Sequence, residues 1–241
     1  MTWQPINCKT HYSLQVGFCK PDKLAKESAI KGFTACGIAD FGTLSGAVDF
    51  HQSCRKEGIK PVIGCEFDGY ILYAKNKDGW FDLVQYVSSH NLEKLKELAS
   101  RGNVLCVTKE KNGFAKLSKG NHLQIDYGEG AIYYVDKEDA DCHRIMLCGK
   151  LKTTLKKIKD VEHDYKQFFN GDDKCYLAQD RKVDMSAIAD RCEEYELAGP
   201  PMLPEFDCPD NYSEDDWLTQ LCRDGWKDKL VPQDKVATKE Q

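Results

Sequence analysis

The sequence predicts an α/β fold on a largely parallel sheet, followed by a helical tail. Segments with apolar residues at helical spacing alternate with short runs of apolar and β-branched residues. The connections between them are short and are punctuated by glycine or proline. The run Pro200-Pro201-Met202-Leu203-Pro204 then breaks the pattern ahead of a last amphipathic stretch. This divides the chain into a body over residues 1–199 and a linker with a helical tail over residues 200–241.

The elements follow in order. From Pro21 to Lys31, Leu24, Ala25, Ala29 and Ile30 fall on one helical face, and Gly32 closes the run. Thr34 to Ala39 is short, apolar and ends at Asp40, as a buried strand does. Leu44 to Glu57 returns to helical spacing and stops at Gly58, and Pro61-Val62-Ile63-Gly64 is a second strand. Helix, strand, helix, strand with short links is the pattern of a parallel sheet. Tyr70 to Ala74 is a third strand, and Lys75 to Gly79 has the composition of a turn. Trp80 to His90 is helical, and Asn91 caps a helix running to Ser100. Val104 to Val107 and Ala131 to Val135 read as strands. Asp139 to Leu147, Thr154 to Ile158, Met185 to Tyr195 and, in the tail, Asp215 to Trp226 read as helices. The polar end, Val231 to Gln241, is expected to fray.

Composition limits the function. With 41% hydrophobic and 30% charged residues among 241, the chain has the apolar mass for a real core. A net charge of -5 is not the footprint of an autonomous nucleic-acid binder. Contact with DNA is therefore expected only indirectly, or through the lysines at 150, 152, 156, 157 and 159, which read equally as a solvated helical face. The twelve cysteines include no C-x-x-C pair and no zinc-finger spacing, so they read as reduced thiols of a cytosolic protein. The opening residues lack a basic region leading into an apolar run, and no run approaches a membrane span. In parallel α/β folds chemistry gathers where strands end. Asp40, Glu66 and Asp136 follow predicted strands, and such carboxylates either share a divalent metal or serve as helix caps and surface charges.

Several runs carry a resemblance. Thr10-His11-Tyr12-Ser13-Leu14 with Gly17, Gly37 through Phe50, and Gly58-Ile59-Lys60-Pro61-Val62-Ile63-Gly64-Cys65-Glu66 resemble, in order, successive segments of one family. Ala74-Lys75-Asn76, Glu138-Asp139-Ala140, Cys175-Tyr176-Leu177 and Leu203-Pro204-Glu205-Phe206 continue the match. The family is the N-terminal PHP (polymerase and histidinol phosphatase) domain of the alpha subunit of bacterial DNA polymerase III, a C-family polymerase. The resemblance implies a distorted, shortened (β/α)7 barrel of the PHP type. It also implies a metal cluster held mostly by histidines, which hydrolyses phosphoesters in some relatives and has been lost in many polymerases.

Set on that pattern, the opening H-x-H falls on Asn7-Cys8-Lys9, the histidine after Asp40 on Phe41, the next on Gly69, and the closing D-x-H on Tyr134-Val135-Asp136. The residual metal-site positions are then Asp40, Glu66 and Asp136, and the substituted ones are Asn7, Lys9, Phe41, Gly69 and Tyr134. Such a set predicts no cofactor, or at most one weakly bound divalent ion, and no catalytic residue. Lys9 would then stand in for a metal by pairing with Asp40 or Glu66. His11 and His143 read as hydrogen-bonded or packed histidines.

The expected role is a non-catalytic component of a replicative DNA polymerase, docking to a separate polymerase chain or a proofreading exonuclease in the cytosol of a bacterial host. The palm aspartates of polymerisation lie beyond this segment in the family, which suggests a split enzyme of the kind a virus of bacteria would encode. Trp217, Leu218, Leu221 and Trp226 fall at helical spacing and would either form the partner contact or pack on their own domain. The competing readings are a metal-dependent phosphoesterase or 3′–5′ exonuclease with an altered ligand set, and a decoy of a host polymerase domain.

Overall fold

A computed structural model describes residues 3–89, 91–109, 120–161, 165, 168, 175–179, 183–199, 204, 206–209 and 211–229. The chain divides into two compact units, Met1–Ala198 and Gly199–Gln241. The breaker at 200–203, His90, His163 and the end at 231–241 lie outside the described residues.

In the first unit, α1 (Pro21–Ile30) opens on a proline, whose missing N–H is no loss in a first turn. It leads to β1 (Ala35–Phe41), α2 (Ala47–Glu57) and β2 (Lys60–Phe67). Gly58 ends α2 at φ +71, a left-handed cap that a side chain would strain. After β3 (Tyr70–Ala74), α3 (Lys77–Ser89) starts inside the expected turn, because Asn76 accepts a bond from the Gly79 amide at 2.9 Å and so caps the helix. Asn91 caps α4 (Leu92–Arg101) through the Glu93 amide at 2.8 Å. Then come β4 (Val104–Thr108) and β5 (His122–Gln124), the latter with no clear signal in the sequence. Two further helices are α5 (Ala140–Lys150) and α6 (Ser186–Arg191).

The sheet runs β1-β2-β3-β4-β5. It is mixed, not largely parallel: β1–β2 and β4–β5 are parallel, whereas β2–β3 and β3–β4 are antiparallel. The cause is local. Only Asp68-Gly69 separates β2 from β3, and a link that short permits only a hairpin. Among the described residues the sheet is five-stranded and not closed, an α/β arrangement consistent with a PHP-type domain in which the expected seven-stranded barrel is not seen. Past β1 the order continues through single parallel bridges, Cys8 to Ile38 and to Ile132, and Tyr134 to Tyr176. The expected strand at Ala131 to Val135 is thus a bridged segment without a full ladder. Thr154 to Lys157 is turn and irregular backbone rather than a helix, and only a single 3-10 turn follows at Ile158–Asp160.

Strand alternation sorts the core. Cys36, Ile38 and Ile63 face α1 and α2, packing with Leu24, Phe50 and Cys54. Ala35, Ala39, Val62, Ile71, Tyr73, Leu105 and Val107 face the other way, against Ile6, Met185 and Ile188. On β3 and β4, Leu72 and Cys106 pack against α3 and α4 through Leu83, Leu95 and Leu98. The second unit contains α7 (Glu214–Lys229). No described helix is long and apolar enough to cross a membrane.

Candidate functional site

The parallel register pairs Asp40 with Cys65 and Phe41 with Glu66 at the carboxyl ends of β1 and β2. Neighbouring positions on a strand point to opposite faces. Asp40 therefore shares the face of Cys36 and Ile38, whereas Phe41 and Glu66 share the face of Ala35, Ala39 and Val62. The two carboxylates that the sequence places at one site are sent to opposite sides of the sheet.

Asp40 is buried, and both of its oxygens are taken. Oδ1 accepts from the Thr10 amide at 2.7 Å and from Ser13 Oγ at 2.6 Å, and Oδ2 accepts from Thr10 Oγ1 at 2.6 Å. The carboxylate thereby ties the segment after Lys9 to the end of β1. Thr10 and Ser13 were legible only as motif letters. Their role depends on a chain reversal in which Ser13 and Val16 bond back to Thr10 and Ser13.

Lys9 lies on the other face and is completely buried. Its ammonium donates to Glu66 Oε2 and to the Ala39 carbonyl, and sits 4.4 Å from the centroid of the Phe41 ring. Of the two partners the sequence offered, Lys9 takes Glu66. Asn7, two residues earlier on the same face, donates its amide to the Tyr127 carbonyl at 3.0 Å, and its Oδ1 has no hydrogen-bond partner among the described residues. Gly69 occupies the β2–β3 turn at φ +85, a conformation that a histidine side chain would strain. Tyr134 is buried, with its ring 5.2 Å from His143. Asp136 pairs at the surface with Lys23, both side chains 42% exposed, and this pairing raises the Lys23 pKa.

Above Glu66 opens a cavity of about 940 Å³, lined among others by Asn7, Phe41, Glu66, Gly69, Tyr127 and Tyr133. It unites four of the eight predicted positions, with Lys9 just beneath Glu66; Asp40, Tyr134 and Asp136 are not part of its lining. Burial pushes the Tyr127 and Tyr133 hydroxyls up, and it pushes the Cys65 thiol up to about 12, so none of these is a ready nucleophile at neutral pH. His143 donates to the Val16 carbonyl at 2.9 Å, and His51 to the Tyr195 carbonyl at 2.7 Å; His11 stacks on Tyr12.

These residues do not fit a cluster of divalent cations. Such a cluster needs several anionic or imidazole ligands converging on one point. Here an ammonium already holds Glu66, the Phe41 ring offers no lone pair, and the Asp40 oxygens are spent on the other face. Among the described residues, no group of three or more His, Cys, Asp or Glu is placed to hold a metal.

The family model for the PHP domain matches residues 6–195. The chain is 29% identical over 189 residues to the DNA polymerase III subunit alpha of Chlamydia trachomatis (serovar D), covering 71% of this chain and 14% of that one. To the same subunit of Bacillus subtilis (strain 168) it is 23% identical over 310 residues, covering 98% and 27%. To that of Helicobacter pylori (strain 26695) it is 35% identical over 106 residues, covering 36% and 9%. The chain therefore spans from 9% to 27% of the length of these relatives. On the match over residues 6–195, the chain belongs to the PHP domain family.

Proposed function

We propose that this PHP domain is a non-catalytic component of a bacterial-type DNA polymerase, acting in DNA replication as a scaffold that docks a polymerase catalytic chain or a proofreading exonuclease. The observation that carries the reading is the use of Glu66 and Asp40. Glu66 commits Oε2 to the Lys9 ammonium, and Asp40 spends both oxygens on Thr10 and Ser13. Little ligand strength is left for a metal, and a phosphoesterase centre needs that strength to generate its nucleophile. The similarity to DNA polymerase III alpha subunits favours a place in replication. The exposed Leu218, Leu221 and Trp226 of α7, with the half-buried Trp217, are the proposed contact. The proposed setting is the bacterial cytosol, whether the palm, fingers and thumb lie on the same polypeptide or on a second one.

The test is direct. Purified protein with a 3′-labelled oligonucleotide and manganese should release no nucleotide, and affinity capture should recover a polymerase catalytic chain or its exonuclease. Manganese-dependent trimming that Glu66→Gln abolishes would establish the altered-ligand nuclease instead.

A further inference from the structure

Lys9 fills a receptor. A lysine with no exposed surface is rare unless paired, and this one meets a carboxylate oxygen, a main-chain carbonyl and the face of an aromatic ring. These groups belong to different segments. Glu66 is near the end of β2, Ala39 and Phe41 are in β1, and Lys9 comes from the segment bridged to β1 and Ile132. Two oxygens and a π face suit a singly charged ammonium, whereas a calcium-like ion would need six or more oxygens.

We infer that the niche formed by Glu66, the Ala39 carbonyl and Phe41 is a monovalent-cation site that the protein fills from within, and that truncating Lys9 opens it to a small exogenous ammonium ion. This deepens the non-catalytic reading of the same site, since the tethered cation makes the fold independent of metal. Entry is available. Glu66 keeps 14% of its side chain exposed and lines the cavity of about 940 Å³, so a methylammonium ion arriving through the cavity reaches the carboxylate once the lysine side chain is gone.

The experiment uses the full chain. Lys9→Ala should lower the melting temperature by about 10 °C, because it leaves a largely buried carboxylate without its partner. Methylammonium chloride should restore a good part of the loss, and sodium chloride or tetramethylammonium chloride at equal concentration should not. In Lys9→Ala with Glu66→Gln the loss should be smaller and the methylammonium effect should vanish. If Lys9→Ala alone yields no folded protein, Lys9→Met with Glu66→Gln should still fold, since that pair is neutral. An unchanged melting temperature in Lys9→Ala, equal rescue by all three salts, stronger rescue by manganese, or failure of the neutral pair to fold would each overturn the inference. Nuclease activity in the wild-type protein would sink the proposed function and leave these results standing.

Discussion

A single side chain can hold a fold together by being the acceptor that several donors need. Asp40 receives three hydrogen bonds from Thr10 and Ser13 inside the protein. Asp40→Ala would leave three buried donors unpaired, so we expect a loss of about 3 kcal/mol in urea unfolding, against a smaller loss for Asp40→Asn. His143 makes a different prediction. Burial between Tyr133 and Tyr134 pushes its pKa down to about 4, outweighing its bond to the Val16 carbonyl. The unfolded chain, with a histidine near its ordinary value of about 6.5, then binds more protons between those limits. The contribution of His143 is complete above about pH 6.5, declines as pH falls, and is lost near pH 4, to the extent of about 3 kcal/mol. Urea midpoints measured across that range should fall less steeply for His143→Gln than for wild type. The sequence marked Asp40 as important and His143 as a packed residue. It did not show what either bonds, because those hydrogen-bond partners lie 27 to 127 positions away.

Elements were most legible where their signals are local. Helix α7 was expected over Asp215 to Trp226 and spans Glu214–Lys229. Ser213 caps it, accepting from the Asp216 amide at 3.2 Å and donating to the Asp216 carboxylate at 2.7 Å, and acidic residues open it while lysines close it. A helix so self-sufficient should survive surface substitution. Leu218→Ser with Leu221→Ser should leave the helical circular-dichroism signal intact and, if the proposed docking role holds, reduce capture of a polymerase catalytic chain by about tenfold or more. Where a neighbour intervenes, the local pattern misleads. The helix expected over Met185 to Tyr195 stops at Arg191, because Cys192 turns extended and the Glu193 amide bonds the Lys75 carbonyl at 2.6 Å. Ala131 to Val135 has strand composition but finds only single parallel bridges on either side.

Across the whole molecule, the proposed replacement of a metal cluster by an internal cation predicts indifference to metal. A tightly bound ion at a hundred times its Kd would contribute about 2.7 kcal/mol. Dialysis against EDTA should instead leave the melting temperature within about 1 °C, and added manganese should not raise it by more than that. A drop of about 5 °C or more on chelation would show a metal that holds the fold. The sequence by itself determined the alternation of helices and strands, the places of the caps and turns, and the family, since each of these rests on neighbours along the chain or on spaced letters in order. Only the tertiary structure decided that Asp40 and Glu66 part to opposite faces and that Lys9 goes to Glu66. The reason is geometric: strand register and the pleat set which side chains meet, and both are fixed by pairing between segments far apart in sequence.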